Sequence, residues 1–290
     1  MSVYKQEYRA YTGTRTPLWA RVAVVVRYSF AEAWSSRITA TLFTLSMVPV
    51  IVYLVGIYLA NNPLARSLLL RRNPAFTIDA GYFLRVLETQ CWLALVMTAW
   101  IAPRLVSFDL GDNALPILLS HPISRFGYVL GKGITLFGCL SLVTWVPCLL
   151  LFTFQGYSSA GPWLMPNLRI AGGLLAGSLL WIALLSILGL ALSSWVKWRI
   201  VATGVIFAVV FVPAGMGGII TGILRTKWGF LLNAPVMMTQ LWQRMLGAPQ
   251  TMRADLYLPK AAIVVVLLMI CFTSVIMLNA RIRARDVVRG

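Results

Sequence analysis

The chain is poor in the residues that usually perform chemistry. A single histidine, His121, stands among 290 residues, and the four cysteines, Cys91, Cys139, Cys148 and Cys271, are scattered through apolar runs with no C-x-x-C pair. Zinc sites and disulfide frameworks need such groups at defined spacings, so neither a metal site nor a disulfide is expected. The apolar runs also hold no H-E-x-x-H and no pair of aspartates. An intramembrane hydrolase requires a nucleophile with its base, paired carboxylates or a metal cluster, and enzymatic activity by this chain is therefore not expected. Acidic residues are scarce: eight Asp and Glu stand against twenty-five Lys and Arg, for a net charge of +17. In a water-soluble chain that excess would point first to nucleic acid.

Hydrophobic residues are what the chain has in excess. They make up 59% of it, with only 11% charged residues and a mean hydropathy of +0.81, too apolar for a domain with a water-facing shell. The composition reads as a membrane protein, and its basic excess as an orientation signal and an attraction to anionic lipid. No nucleic-acid partner is expected.

A hydrocarbon core of about 30 Å takes about 20 apolar helical residues to cross. Six stretches qualify, at about 40–60, 88–107, 129–154, 169–195, 200–223 and 259–280. Almost forty residues with six basic groups precede the first, unlike a cleavable signal peptide, so the first span is expected to persist. An even number of spans puts both termini on one side. The N-terminus, the loops 104–132 and 196–199 and the tail hold fifteen of the twenty-five basic residues, which places both termini in the cytoplasm by the positive-inside rule. The organisation is then a cytoplasmic N-terminus over 1–39, one six-span domain over 40–280 and a basic tail over 281–290.

Before the first span, Leu18–Arg37 gathers Trp19, Val22, Val25, Phe30, Ala33 and Trp34 on one helical face and Arg21, Tyr28, Glu32 and Ser35 on the other. This pattern predicts an amphipathic helix in the cytoplasmic interface, with Arg27 at its boundary; a cytosolic extension of the first span is the alternative. The outer loops 63–88 and 234–246 are apolar enough to form short helices that dip into or rest on the outer leaflet. The methionines at 237 and 238 read as packing rather than metal transport. Glu88, the one candidate for a transport-coupled carboxylate, stands near a span's end and reads as a boundary group. Gly173-x-x-x-Gly177, with Gly172 and Ser178 beside it, and Gly215, Gly217 and Gly218 supply small-residue faces for helix contacts, between subunits or within one.

The polar joint between the second and third spans carries the most information. Gly127-Tyr-Val-Leu-Gly131-Lys132-Gly133 has three residues between its first glycines, and Gly133 where a phosphate-binding loop needs Ser or Thr, so no nucleotide site is expected. Pro103 and Pro116 limit helix continuation, and Asp109 or Asp112 can cap a short helix over about 112–120 that Pro122 ends and Ser124 follows as a cap. Ile117, Leu118 and Leu119 would give that helix an apolar face in search of a partner.

The order Ile101-Ala-Pro, Ser107, Asp109, Asp112-Asn-Ala-Leu115, Leu118-Leu119-Ser120, Pro122-Ile-Ser-Arg125 and Gly131-Lys132 resembles the loop between the second and third spans of type-2 ATP-binding-cassette permeases. These are the membrane subunits of a large class of bacterial exporters. Pro17-Leu-Trp-Ala-Arg21, Arg27-Tyr28, Tyr58-Leu-Ala-Asn-Asn62 and the Arg-rich tail are also similar to that family. The layout matches over nearly the whole chain, while the specific motif covers about thirty residues; the Phe108-Asp-Leu-Gly111 stretch and His121 depart from many members. The resemblance implies an all-α, six-span permease with an N-terminal interfacial helix, in a bacterial cytoplasmic membrane. It implies a partnership with a second permease subunit, identical or similar, and with separate cytosolic ATPase subunits that would bind the ATP and magnesium; this chain itself would bind no cofactor. Carried over as ATPase-coupling positions are Asp109, Asp112, Asn113, Leu115, Leu118, Pro122 and Arg125, within a coupling loop of about 104–128. With few polar groups in the spans, a lipid-like or amphipathic substrate fits better than a small ion. The alternatives are a membrane scaffold that recruits partners through its basic face, and a secondary transporter that uses Glu88.

Overall fold

Runs of apolar residues in hydrocarbon have no water to satisfy their backbone groups, so they close their hydrogen bonds within helices. The computed structural model describes residues 17–65, 67, 77–111, 125–159 and 161–284, and it follows that rule throughout. Helix α1 covers Leu18–Trp34, α2 Arg37–Asn61, α3 Ala80–Gly111, α4 Arg125–Val143, α5 Trp145–Ser158, α6 Leu168–Trp195 and α7 Arg199–Leu224. A 3-10 turn at Lys227–Leu232, helix α8 at Ala234–Leu246, a second 3-10 turn at Ala254–Leu256 and α9 at Lys260–Ala284 complete the described order. Among these are six helical stretches long and apolar enough to cross a membrane, the layout of a multi-pass membrane protein. The third of them is α4 and α5 together.

Burial separates the six into two classes. About two thirds of the α3 and α6 spans are buried inside the molecule, against 11% for α2, 22% for α7 and 17% for α9. The core is thus α3 against α6, with α4 and α5 alongside, and its fully buried side chains include Phe83, Leu87, Leu95, Leu136, Leu140, Leu174 and Ile182. Bonds at the two ends fix the alternation. At one end Ser107 donates to the Ser193 carbonyl (3.0 Å), Arg281 to the Ser194 carbonyl (3.3 Å) and the Trp195 indole to the Met277 carbonyl (3.1 Å). At the other, Asn61 donates to the Gln155 side chain (2.9 Å) and Arg169 to the end of α8.

Three sequence expectations are corrected here. Pro103 does not stop its helix: α3 runs through it to Gly111. A proline removes the N–H that would bond the carbonyl four residues back, which here is Ala99. The Thr203 hydroxyl of α7 donates to that carbonyl at 2.8 Å, so a neighbouring span supplies the missing bond. The third span is not one rod. It breaks at Thr144 (φ −101°, ψ −93°), where Pro147 deprives Val143 of its helical partner and settles in the first turn of α5, whose N–H groups are unpaired in any case. The helix that carries the second span starts at Ala80 rather than 88, so Glu88 lies eight residues, about 12 Å at the α-helical rise, inside α3.

Candidate functional site

Of the carried-over coupling positions, Asp112, Asn113, Leu115, Leu118 and Pro122 lie outside the described residues. Asp109 belongs to the last turn of α3, and Arg125 is the first residue of α4. Beyond Arg125 the structure is informative, because α4 continues directly into the seat of α1. The buried residues of α1 are Val22, Val25, Ser29 and Ala33, spaced at three and four so that they form one stripe. That stripe lies on a groove of small residues: a Cβ on Gly131 would meet Val25 Cγ1 at 2.7 Å, and Thr135 donates to the Val26 carbonyl at 3.4 Å. Close approach needs glycine at 131 because no side chain can share that space.

Lys132 extends the contact. Its side chain is nearly buried, stands 3.9 Å from the Glu32 carboxylate and lies 5.7 Å from the Tyr128 ring centroid. At the far end of α1, Trp34 packs on Phe30 and edge-on to Phe43, with centroids 6.0 and 4.9 Å apart. The two-faced reading of α1 therefore needs a third face. Val22, Val25 and Ala33 face α4, Glu32 reaches Lys132, and Trp19, Val24 and Tyr28 are exposed, with Arg27 exposed as well and Arg21 half-buried. In consequence, α1 and the first three turns of α4 form one packed body, contiguous in sequence with the loop that precedes Arg125.

The Gly173-x-x-x-Gly177 face is occupied by the chain itself. A Cβ on Gly173 would meet Leu246 at 2.7 Å and one on Gly177 would meet Trp242 at 2.6 Å, while the Trp242 indole donates to the Gly177 carbonyl at 3.1 Å. Helix α8 is thus inserted against α6 rather than lying on a surface, with Met237, Met238, Gln240, Trp242, Gln243 and Leu246 buried. Its sequence is built to stop there. Asn233 accepts from the Val236 N–H at 3.0 Å, Gly247 takes the left-handed C-cap (φ 71°), and Arg169 donates to the Met245 and Arg244 carbonyls at 3.2 and 2.9 Å. Buried polar groups of α8 find partners in the segment that follows: Gln240 with the Leu258 N–H at 2.9 Å, and Gln243 with Tyr257 at 2.7 Å and Thr251 at 2.8 Å. The methionines are core.

Gly217 makes a second close approach, backbone to backbone, with Gly229 of the first 3-10 turn. Gly204, Gly215, Gly218 and Gly222 instead have no atom within reach of a Cβ and, with exposed Ala208, fall on one stripe of α7 at 100° per residue. Glu88 meets Thr239 of α8, which hydrogen-bonds its carboxyl, in a small recess with Trp92, Trp181 and Trp242. Sequence reading missed this recess because Glu88 and Thr239 are joined only by the insertion of α8. Among the described residues, no three His, Cys, Asp or Glu side chains converge. No protein-family model matches the chain, and no curated protein matches it.

Proposed function

We propose that the chain is the permease subunit of an ATP-driven transporter of the ATP-binding-cassette class, moving a lipid-like or amphipathic substrate outward across a bacterial cytoplasmic membrane. The observation that carries this reading is the packed body of α1 and α4. The two elements on which the ATPase would dock in this reading, the loop of about 104–128 and the helix at 18–37, meet at the first turns of the third span. A push on either is then delivered to α4, the first segment of the third span, rather than dissipated in a tether. The six-span layout and the resemblance of residues 101–132 support the same reading. The exposed small-residue stripe of α7 is a surface against which a second permease subunit can approach closely, since glycine faces let helix backbones come together. ATP and magnesium belong to the partner ATPase, and the termini to the cytoplasm.

The test is co-purification in mild detergent with the ATPase subunit encoded nearest this chain. A stoichiometric complex whose ATPase activity rises in the permease's presence is expected. Leu118→Asp and Arg125→Glu should each abolish that association while membrane insertion stays intact, and full recovery of the complex with both variants defeats the docking assignment.

A further inference from the structure

Of the eight acidic residues, Glu88 alone falls within the six apolar stretches, at the first residue of the second. The recess beside it is walled by Cys91, Trp92, Trp181, Pro235, Thr239 and Trp242 and has a volume of about 10 Å³, room for one water-sized group. Two of its three indole N–H groups are spent, Trp181 on the Cys91 carbonyl at 2.9 Å and Trp242 on the Gly177 carbonyl at 3.1 Å. The Thr239 hydroxyl hydrogen-bonds the Glu88 carboxyl. Left facing the recess are a carboxylate, the lone pairs of a hydroxyl and indole rings, a set that suits a compact cation carrying N–H donors. A metal ion is poorly served, because a hard cation takes about six or more oxygen ligands and only Glu88 and Thr239 offer side-chain oxygen.

Glu88 is half-buried, and the ion pairs among the described residues, Lys132 with Glu32 and Arg253 with Asp255, do not include it. A half-buried carboxylate without a counter-charge is costly. Arg85, exposed and close enough for its charge to bear on Glu88, stands three residues nearer the start of α3. The helix thus carries a positive and a negative group about 4.5 Å apart along its axis, the positive one toward the end of the span. An ethanolamine phosphate presents the complementary pair, a phosphate and an ammonium joined through two carbons. Trp92 is the exposed wall of the recess and stacks on Phe211 of α7 with centroids 5.8 Å apart. Both rings are exposed, so the recess opens between α3 and α7, where a spanning helix meets lipid. We propose that it binds the ammonium of a phosphatidylethanolamine, with the phosphate at Arg85 and an acyl chain along Trp92 and Phe211. The volume selects a primary ammonium, about the size of a water, over the trimethylammonium of phosphatidylcholine. The site needs only that α3 crosses the membrane, and it stands whether or not the permease reading holds.

The test uses the full chain in detergent with phosphatidylethanolamine or phosphatidylcholine of identical chains, read by native mass spectrometry. One phosphatidylethanolamine retained per chain, at roughly tenfold the occupancy of phosphatidylcholine, is expected. Glu88→Gln keeps the shape and an acceptor for Thr239 but removes the charge; it should bring the two lipids to equal retention with an unchanged melting temperature. Trp92→Leu, at the exposed wall, is the second variant should the first fail to fold, and should cut the preference about threefold. Arg85→Gln should lower the retention of both lipids and leave their ratio in place. Equal retention by the unaltered chain leaves the recess to a single water and overturns the proposal, as does a preference that survives both Glu88→Gln and Trp92→Leu. Higher phosphatidylethanolamine retention by Arg85→Gln than by the unaltered chain also overturns it, because Arg85 would then compete for the carboxylate instead of holding the phosphate.

Discussion

Glycine in α6 is used at two kinds of position less than two turns apart, and they make opposite predictions. Gly177 faces Trp242 with no room for a Cβ, whereas Gly172 faces open space. Gly177→Ala should therefore strain the seat of α8 and lower stability by about 1–3 kcal/mol, the usual cost of overpacking. Gly172→Ala should raise it by up to about 1 kcal/mol through helix propensity. Thermal melting followed by circular dichroism in detergent separates the two, and equal shifts would contradict the packing. The Gly173-x-x-x-Gly177 spacing was legible in the sequence, but its occupant was not. Helix α8 carries Gln240 and Gln243 among its apolar residues, and such a segment reads as a surface helix until Tyr257, Thr251 and Leu258 are seen to pair with those side chains from the segment that follows.

Whole elements show where local rules are overridden from outside. Span positions were readable from apolar length alone, because hydrocarbon leaves the backbone no other choice. The proline at 103 was misread because its rescue lies in Thr203, 104 residues from the Ala99 carbonyl that it completes, while the break at Thr144 went unread because Pro147 sits in an unbroken apolar run. Thr203→Val preserves the shape and removes the donor; it should cost about 1–3 kcal/mol, the penalty for stranding a buried acceptor, measured as a lower midpoint of thermal unfolding. For α1 and α4, Val25→Cys with Gly131→Cys places two Cβ atoms about 3.0 Å apart, near enough to the 3.5–4.5 Å of a disulfide for a small adjustment to join them. Mild oxidation should cross-link this pair, and stimulation of the partner ATPase should survive the cross-link if the two helices move as one body. Loss of coupling on oxidation, restored by reductant, would show instead that α1 slides on α4.

At the scale of the molecule, burial grades from a tight centre of α3 and α6 to three spans, α2, α7 and α9, that are mostly uncovered. Gly215→Leu with Gly222→Leu on α7 should weaken permease self-association at least tenfold in sedimentation while leaving the monomer folded, if that stripe is the subunit contact. The proposed orientation predicts that a cysteine at Tyr157, which is 91% exposed, reacts with a membrane-impermeant thiol reagent in intact cells, and that one at Trp198 does so only after lysis; the reverse pattern would invert the topology. The proline bond in α3 also bears on how the chain is made. The second span emerges from synthesis about a hundred residues before the hydroxyl that completes it, and an unpaired carbonyl in hydrocarbon is costly. Assembly is then time-ordered: α3 must wait at the insertion machinery, or against water or another temporary donor, until the fifth span arrives to close it.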